Sequence, residues 1–250
     1  MLFIGIDLAW APHNPSGAAI IRGDAHAGEL ADVALLGDLD EIAAYVASAA
    51  PAGTPALVAV DAPLWVPNAS GRRPAEAELG AVFARYQAGA HPANRGLPAF
   101  RQGVRGELLV ERMARLGFAH RCSVAPGAPV RQVLEVYPHA AMVALFGLAR
   151  TLKYKAKPRR SRDTRLAAWA AYQRHLAGLA GFDPPLRGVA AFAGQDVAAL
   201  RGRRLKGYED QADAVMCAYI ALYAFRWGAA RCRCFGSMES GYIYTPVPLS

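Results

Sequence analysis

Cysteine is scarce. Four residues in 250, Cys122, Cys217, Cys232 and Cys234, exclude a disulfide-stapled scaffold of the small secreted type. Cys232 and Cys234 form a Cys-x-Cys pair, but no second Cys or His pair stands at zinc-site spacing from it, which argues against zinc. Long apolar runs are missing too. The longest uninterrupted one, residues 214–225, falls short of the ~18 residues a bilayer span needs. No basic stretch precedes the first apolar run and Asp7 breaks that run early, so neither a secretory signal nor a membrane partner is expected and the expected setting is the cytoplasm. No repeat of fixed period is visible, which excludes a solenoid. The low hydrophobicity of disordered chains is also absent, since 54% of residues are hydrophobic. That is ample for the core of one large domain.

Negative charge is in the minority. Asp and Glu number 20 against 28 Lys and Arg, a formal net charge of +8. Residues 150–165 read "RTLKYKAKPRRSRDTR", eight cations against Asp163 alone, a net of +7 that is almost the whole excess. A second basic cluster, "RGRRLKG", holds Arg201, Arg203, Arg204 and Lys206. Such runs read either as solvated loops or as a flank that binds phosphates, the source of most sequence-independent nucleic-acid affinity.

The order of elements predicts an α/β fold. Residues 2–9 read as a buried strand, "SGAAIIRGD" and "ELADVALLG" as two shorter ones, and their short connections suggest an antiparallel meander. "DLDEIAAYVASAA" begins with Asp38 and Glu41 three apart, a capping-box pattern that predicts a helix over 38–50. Further strands are expected at about 56–62 and 130–138, each stopped by a proline. Between them, residues 66–129 form a helical insertion, with helices starting at Pro74 and running through "GELLVERMARLG". Helices follow over "HAAMVALFGLA", "SRDTRLAAWAAYQRHLAGLAG" and "YEDQADAVMCAYIALYAFRWG", then a Gly- and Pro-rich tail. The result is a single domain, residues 1–250, built on a mixed sheet with helices packed against it.

Three core strands each carry an acid near their end: Asp7 in "FIGID", Asp61 in "LVAVD" and Glu135 in "VLEV". The last helix adds Asp210 and Asp213, three apart and therefore on one face. Acids in a first helical turn are favoured by the macrodipole, which accounts for Asp210 better than for Asp213. Converging carboxylates need protons or cations, because two unit charges about 4 Å apart repel by roughly 4 kcal/mol at an effective dielectric near 20. Hard ions such as Mg²⁺ or Mn²⁺ suit carboxylate oxygens, and a pair of them suits phosphodiester displacement. The competing reading is a set of unrelated caps and paired charges.

"GIDLAW", "VAVDAPLWVPNASGRRPAE", "LEVYPHAA", "YK" at 154–155 and "DQADAVMCAYIA" follow one another in this chain. In that order they resemble an uncharacterised family of predicted nucleases with the RNase H-like fold, related to the RuvC and YqgF groups. The resemblance runs from residue 1 to about 228, with a weaker echo in "SGYIYTPVP". It implies a mixed sheet whose first three strands are antiparallel and whose later strands are parallel. It also implies a site of two Mg²⁺ or Mn²⁺ ions: Asp7, Asp61 and Asp213 as catalytic ligands, with Asp210 and, less securely, Glu135 beside them. A DNA or RNA substrate is implied as well, and a resolvase-like activity would favour a homodimer.

Other residues are weighed around that site. Arg72 and Arg73 follow Asp61 and are suited to gripping a phosphate, or to pairing with Glu76 at a helix start. Lys153, Lys155, Lys157, Arg203 and Arg204 are expected to border the acids and hold a nucleic-acid backbone. His139 reads as a helix-end partner or a proton shuttle. Trp10 and Trp65 read as core or rim, or as stacking platforms for bases. The expected function is therefore a metal-dependent nuclease. The alternatives are a nucleic-acid-binding module without catalysis and, against the absence of a Gly- and Thr-rich phosphate loop, a phosphotransferase.

Overall fold

The computed structural model describes residues 1–248. Its centre is β1 (Leu2–Asp7), buried until its last residue. On one side β1 pairs antiparallel with β2 (Ser16–Gly23), Ile4 opposite Ile20. On the other it pairs parallel with β4 (Ala56–Val60), Ile4 opposite Val58. β3 (Gly28–Leu36) extends the antiparallel meander. β6 (Arg131–Glu135) lies parallel to β4, and two short strands, β5 (Ala119–His120) and β7 (Leu186–Arg187), close the edges. The seven-stranded mixed sheet has the order β5-β6-β4-β1-β2-β3-β7, as expected for antiparallel strands followed by parallel ones.

Both faces of the central strands are covered, which explains why they read as near-continuous apolar runs. Phe3, Ala19, Leu57 and Ala59 face the long helix α7 (Gly202–Trp227), and Ile4, Ile6, Val58 and Val60 face α1 (Leu39–Ala49) and α3 (Arg105–Arg115). Asp38 caps α1, accepting from the amides of Asp40 and Glu41. The Glu41 carboxylate reaches the Gly37 amide at 2.6 Å, one residue before the cap.

α7 is buried on nearly every side from Gly207 to Phe225. It lies directly on the sheet at two glycines: a Cβ on Gly5 would collide with the Ala214 carbonyl, and one on Gly17 with the Asp210 carbonyl. That backbone-to-backbone approach sets the α7 acids against the end of β1.

The segment between β4 and β6 holds α2 (Pro74–Phe83), α3 and the edge strand β5. α3 braces the loops that leave β1 and β4. Arg105 donates to the carbonyls of Ala9 at 2.8 Å and Ala11 at 3.1 Å, Gly106 lies against the Pro63 carbonyl, and Glu107 accepts from the Val66 amide at 3.0 Å. After β6 come α4 (Pro138–Phe146), α5 (Arg162–Gly178) and the short α6 (Val189–Ala193). The Gly- and Pro-rich tail is a β-hairpin, β8 (Cys232–Ser237) with β9 (Gly241–Pro246), whose Phe235 and Ile243 pack on α2 and α4. Among the described residues, no helix is long and apolar enough to cross a membrane.

Candidate active site

Asp7 ends β1 and Asp61 follows β4, and the Asp61 amide donates to the Ile6 carbonyl at 2.8 Å. The two carboxylates therefore leave adjacent strands side by side, at the carboxyl ends where α/β sheets open their crevices. α7 brings Asp210 and Asp213 to the same place, with the Asp210 carboxyl against that of Asp7. Asp210 and Asp213 are buried, while Asp7 and Asp61 keep an edge open to the cleft.

Asp213 is saturated with donors. Its Oδ1 accepts from the Tyr154 hydroxyl at 2.6 Å and the Tyr172 hydroxyl at 3.3 Å, and its Oδ2 faces Lys155 Nζ at 2.6 Å. Lys206 Nζ bridges Asp210 Oδ1 at 2.5 Å and Glu209 Oε1 at 2.8 Å. Two ammonium groups thus stand among five carboxylates, those of Asp7, Asp61, Glu209, Asp210 and Asp213. Burial pushes Asp7 well above the usual carboxylate range, Lys155 pulls it back in part, and repulsion from Asp213, Asp61 and Asp210 adds to the rise. Burial likewise pushes Asp61 up to about 7, opposed by Lys155 and helped by Asp213 and Glu135. Burial would also raise Asp213, but Lys155 and the Tyr154 hydroxyl reverse it and hold that carboxylate below its ordinary value. For Lys155 the burial penalty is overcome by Asp213, Asp7 and Asp61, so its ammonium stays charged.

Glu135 does not stand as a free ligand, and of its two readings Arg73 takes the pairing with Glu76 at the start of α2. Arg73 is 1% exposed and its guanidinium is fully engaged. It grips Glu135 in two bonds, Nη2–Oε1 at 2.6 Å and Nη1–Oε2 at 3.0 Å, and takes Glu76 through Nε at 2.6 Å. Glu135 Oε2 also accepts from the Leu64 amide at 2.8 Å. Burial works against the charge on Arg73, yet Glu135 and Glu76 together hold the guanidinium above its ordinary value. Fork geometry of this kind belongs to an ionised pair. Arg73 is therefore a strut between β6 and the start of α2 rather than a phosphate grip. Glu135, with both oxygens bonded, is not free to ligate an ion.

A cavity of about 640 Å³ opens over the carboxylates. Asp7, Asp61 and Asp210 line it together with His91, Lys153, Lys157 and Arg160. Trp10 lines it and packs on Phe100 with ring centroids 5.2 Å apart. Lys155 and His139 line it too. Burial pushes the His139 imidazole down to about 3, so it is neutral there, and its Nδ1 lies 3.4 Å from Thr151 Oγ1. Arg72, Arg203 and Arg204 are exposed and do not line the cavity; the expected basic border is supplied by 153–160 alone, with Lys206. Trp65 lies outside it, donating through Nε1 to the Glu239 carbonyl at 3.0 Å. Cys232 and Cys234 sit on β8, their thiols pushed up to about 12 by burial, which disfavours the thiolate a metal would need. Tyr172, 41 residues before its acceptor, and His91 carried no signal in the sequence.

The donor chemistry, clustered carboxylate oxygens with protons held against their usual acidity, suits a hard divalent cation. Among the described residues no three His, Cys, Asp or Glu side chains stand ready to enclose an ion, and Lys155 reaches in among them. Fold and site together define a mixed α/β protein with an acidic cleft at the carboxyl ends of its central strands. The chain belongs to the family described as "Protein of unknown function (DUF429)", which it matches over residues 5–238. No curated protein matches it.

Proposed function

We propose that this protein is a divalent-metal-dependent nuclease of the RNase H-like class, akin to the RuvC and YqgF groups, hydrolysing phosphodiester bonds of DNA or RNA. One observation carries the reading: acids from two adjacent strand ends and a packed helix line one cleft together with Lys153, Lys155, Lys157, Arg160 and Lys206. A polyanion that brings a scissile phosphate to carboxylates needs both features. The strand order, with three antiparallel strands followed by parallel ones, supports the class.

Asp7 and Asp61, with Asp210 beside them, would hold Mg²⁺ or Mn²⁺. When bound, such an ion supplies Lewis-acid polarisation of the phosphoryl group and the charge that lets these acids ionise together. The remaining work falls to the chain itself. Lys153, Lys157 and Arg160 hold the flanking phosphates. Lys155 offers positive charge at the cleft floor. Neutral His139 is positioned by Thr151 and the Tyr154 ring, 5.7 Å away between centroids. A cytoplasmic setting and a homodimer belong to the same reading.

Cleavage assays on purified protein test it, with single- and double-stranded DNA and RNA in Mg²⁺ or Mn²⁺. Metal-dependent cleavage that is lost in Asp7→Ala is expected; cleavage unchanged in that variant overturns the reading. The saturated state of Asp213 favours one alternative, a nucleic-acid-binding module without turnover. Its mark is salt-sensitive binding that survives substitution of the acids, with no cleavage.

A further inference from the structure

Two lysines touch the acidic cluster, and they are held in different ways. Lys206 is 58% exposed and pairs with acids three and four residues along its own helix. Its tether is local to α7. Lys155 is 24% exposed against an Asp213 that is 1% exposed, and it reaches that acid from a distant segment.

The segment carrying Lys155 is fixed from both sides. Tyr154 is 1% exposed and sits among Trp169, Tyr172 and His139, with ring centroids 4.9, 4.8 and 5.7 Å away. Upstream, the Thr151 amide donates to the Tyr86 carbonyl at 2.8 Å. Downstream, Arg160 Nη1 donates to the carbonyl of Lys155 itself at 3.0 Å. The ammonium is thus delivered to the cluster as deliberately as the carboxylates are. Pulling it away would leave Asp213 Oδ2 buried and unpaired, because both tyrosine hydroxyls address the other oxygen.

An ion between Asp213 and the strand acids would need the place and the oxygen that Lys155 already holds. Asp7 and Asp61, side by side on parallel strands, are the carboxylates left for a metal, with Asp210 against Asp7.

Resting on the metal-dependent reading above, we propose that Lys155 is the second cation of this site. Its ammonium stands where a two-ion carboxylate centre would put one of its metals, so the chain takes a single divalent ion on the Asp7–Asp61 side. Lys155 then presents a fixed positive charge to the substrate phosphate. Asp213 acts through Lys155, as the anchor that orients it, instead of ligating metal.

Metal stoichiometry decides this without reference to activity. The full chain is titrated with Mn²⁺ at pH 7.5 by calorimetry and by loss of the free-Mn²⁺ electron paramagnetic resonance signal. Wild type, Lys155→Ala and Lys155→Arg are compared, with folding checked by circular dichroism. The expected result is one ion per wild-type chain and one in Lys155→Arg. Lys155→Ala, with Asp213 uncovered, is expected to take two and to show the spin coupling of neighbouring Mn²⁺ ions. Two ions in the wild type overturn the proposal and leave the metal-dependent reading standing; so does a folded Lys155→Ala that still takes one. No ion in any of the three overturns both. If Lys155→Ala does not fold, the wild-type count still decides.

Discussion

Asp61→Asn removes a charge that the fold holds at a cost. Burial first, then Asp213 and Glu135, lift this carboxyl from its ordinary 3.8 to about 7, against the pull of Lys155. At 1.36 kcal/mol per pH unit that difference is about 4 kcal/mol. The carboxylate keeps an edge open to the cleft, so solvent returns part of it and about 2 kcal/mol is the working figure. The sign follows from proton binding: the folded chain holds this proton more tightly than the unfolded one. The associated stability is fully present below about pH 4 and is lost as pH rises through about 7. Asparagine does not titrate and keeps it. In chelator at pH 8, Asp61→Asn should therefore melt roughly 4–8 °C above wild type, using 2–4 °C per kcal/mol for a chain of this size. Only near pH 4 and below should the two nearly coincide. Millimolar Mn²⁺ at pH 8 should then raise the wild type more than the variant, because only the wild type offers both strand carboxylates to the ion. Thermal melts followed by circular dichroism read all of this. A variant no more stable than wild type at pH 8 in chelator would refute the account of the cluster as strained by its own charge.

Two further outcomes separate the structural acids from the functional ones. Arg73→Met strands Glu135 and Glu76 as unpaired buried charges and should cost about 3–5 kcal/mol in urea denaturation. Arg73→Lys should recover only part, since an ammonium cannot make the paired bonds to Glu135; a loss below about 1 kcal/mol in Arg73→Met would contradict the strut. Gly17→Ala should lift the start of α7 from the sheet, lowering both the melting temperature and Mn²⁺ affinity. The helical Gly80, with open space around its Cβ position, should instead gain up to about 1 kcal/mol as alanine.

Much of the scaffold was legible because burial leaves a periodic record. β1, β2, β4 and β6 are runs whose two faces meet two different helical layers, and their apolar continuity follows from that. The Asp38 cap was legible because capping is local; that Glu41 would reach Gly37 was not. The first turns of α7 were read as a basic loop, since "RGRRLKG" carries no apolar face. Lys206 compensates there by pairing with Glu209 and Asp210 once the helix forms. The β8–β9 hairpin escaped because Gly and Pro mask its alternation, and its fit depends on α2 and α4.

For the site, the convergence of Asp7, Asp61, Asp210 and Asp213 could be anticipated, because an acid at the end of an apolar strand is conspicuous. The Arg73–Glu76 pair was one of two local readings, but the Arg73–Glu135 bond could not be anticipated, since it spans 62 residues and nothing local distinguishes a strut from a ligand. Lys155 was visible as one cation among eight. Only its tether beside Tyr154 sets it apart from Lys153 and Lys157.

The seating of α7 on Gly5 and Gly17 also bears on how the chain is made. The first carboxylate of the cluster is synthesised at residue 7 and the last at residue 213, and the helix bearing the latter also covers Phe3, Ala19 and Ile21. A nascent chain that has finished the meander still has one bare sheet face, and its acids lie apart until that helix emerges. Contacts of such separation form late and slowly. Translation therefore delays assembly of the acidic cleft until residue 213 has been made, so a shorter nascent chain carries Asp7 and Asp61 without the α7 acids.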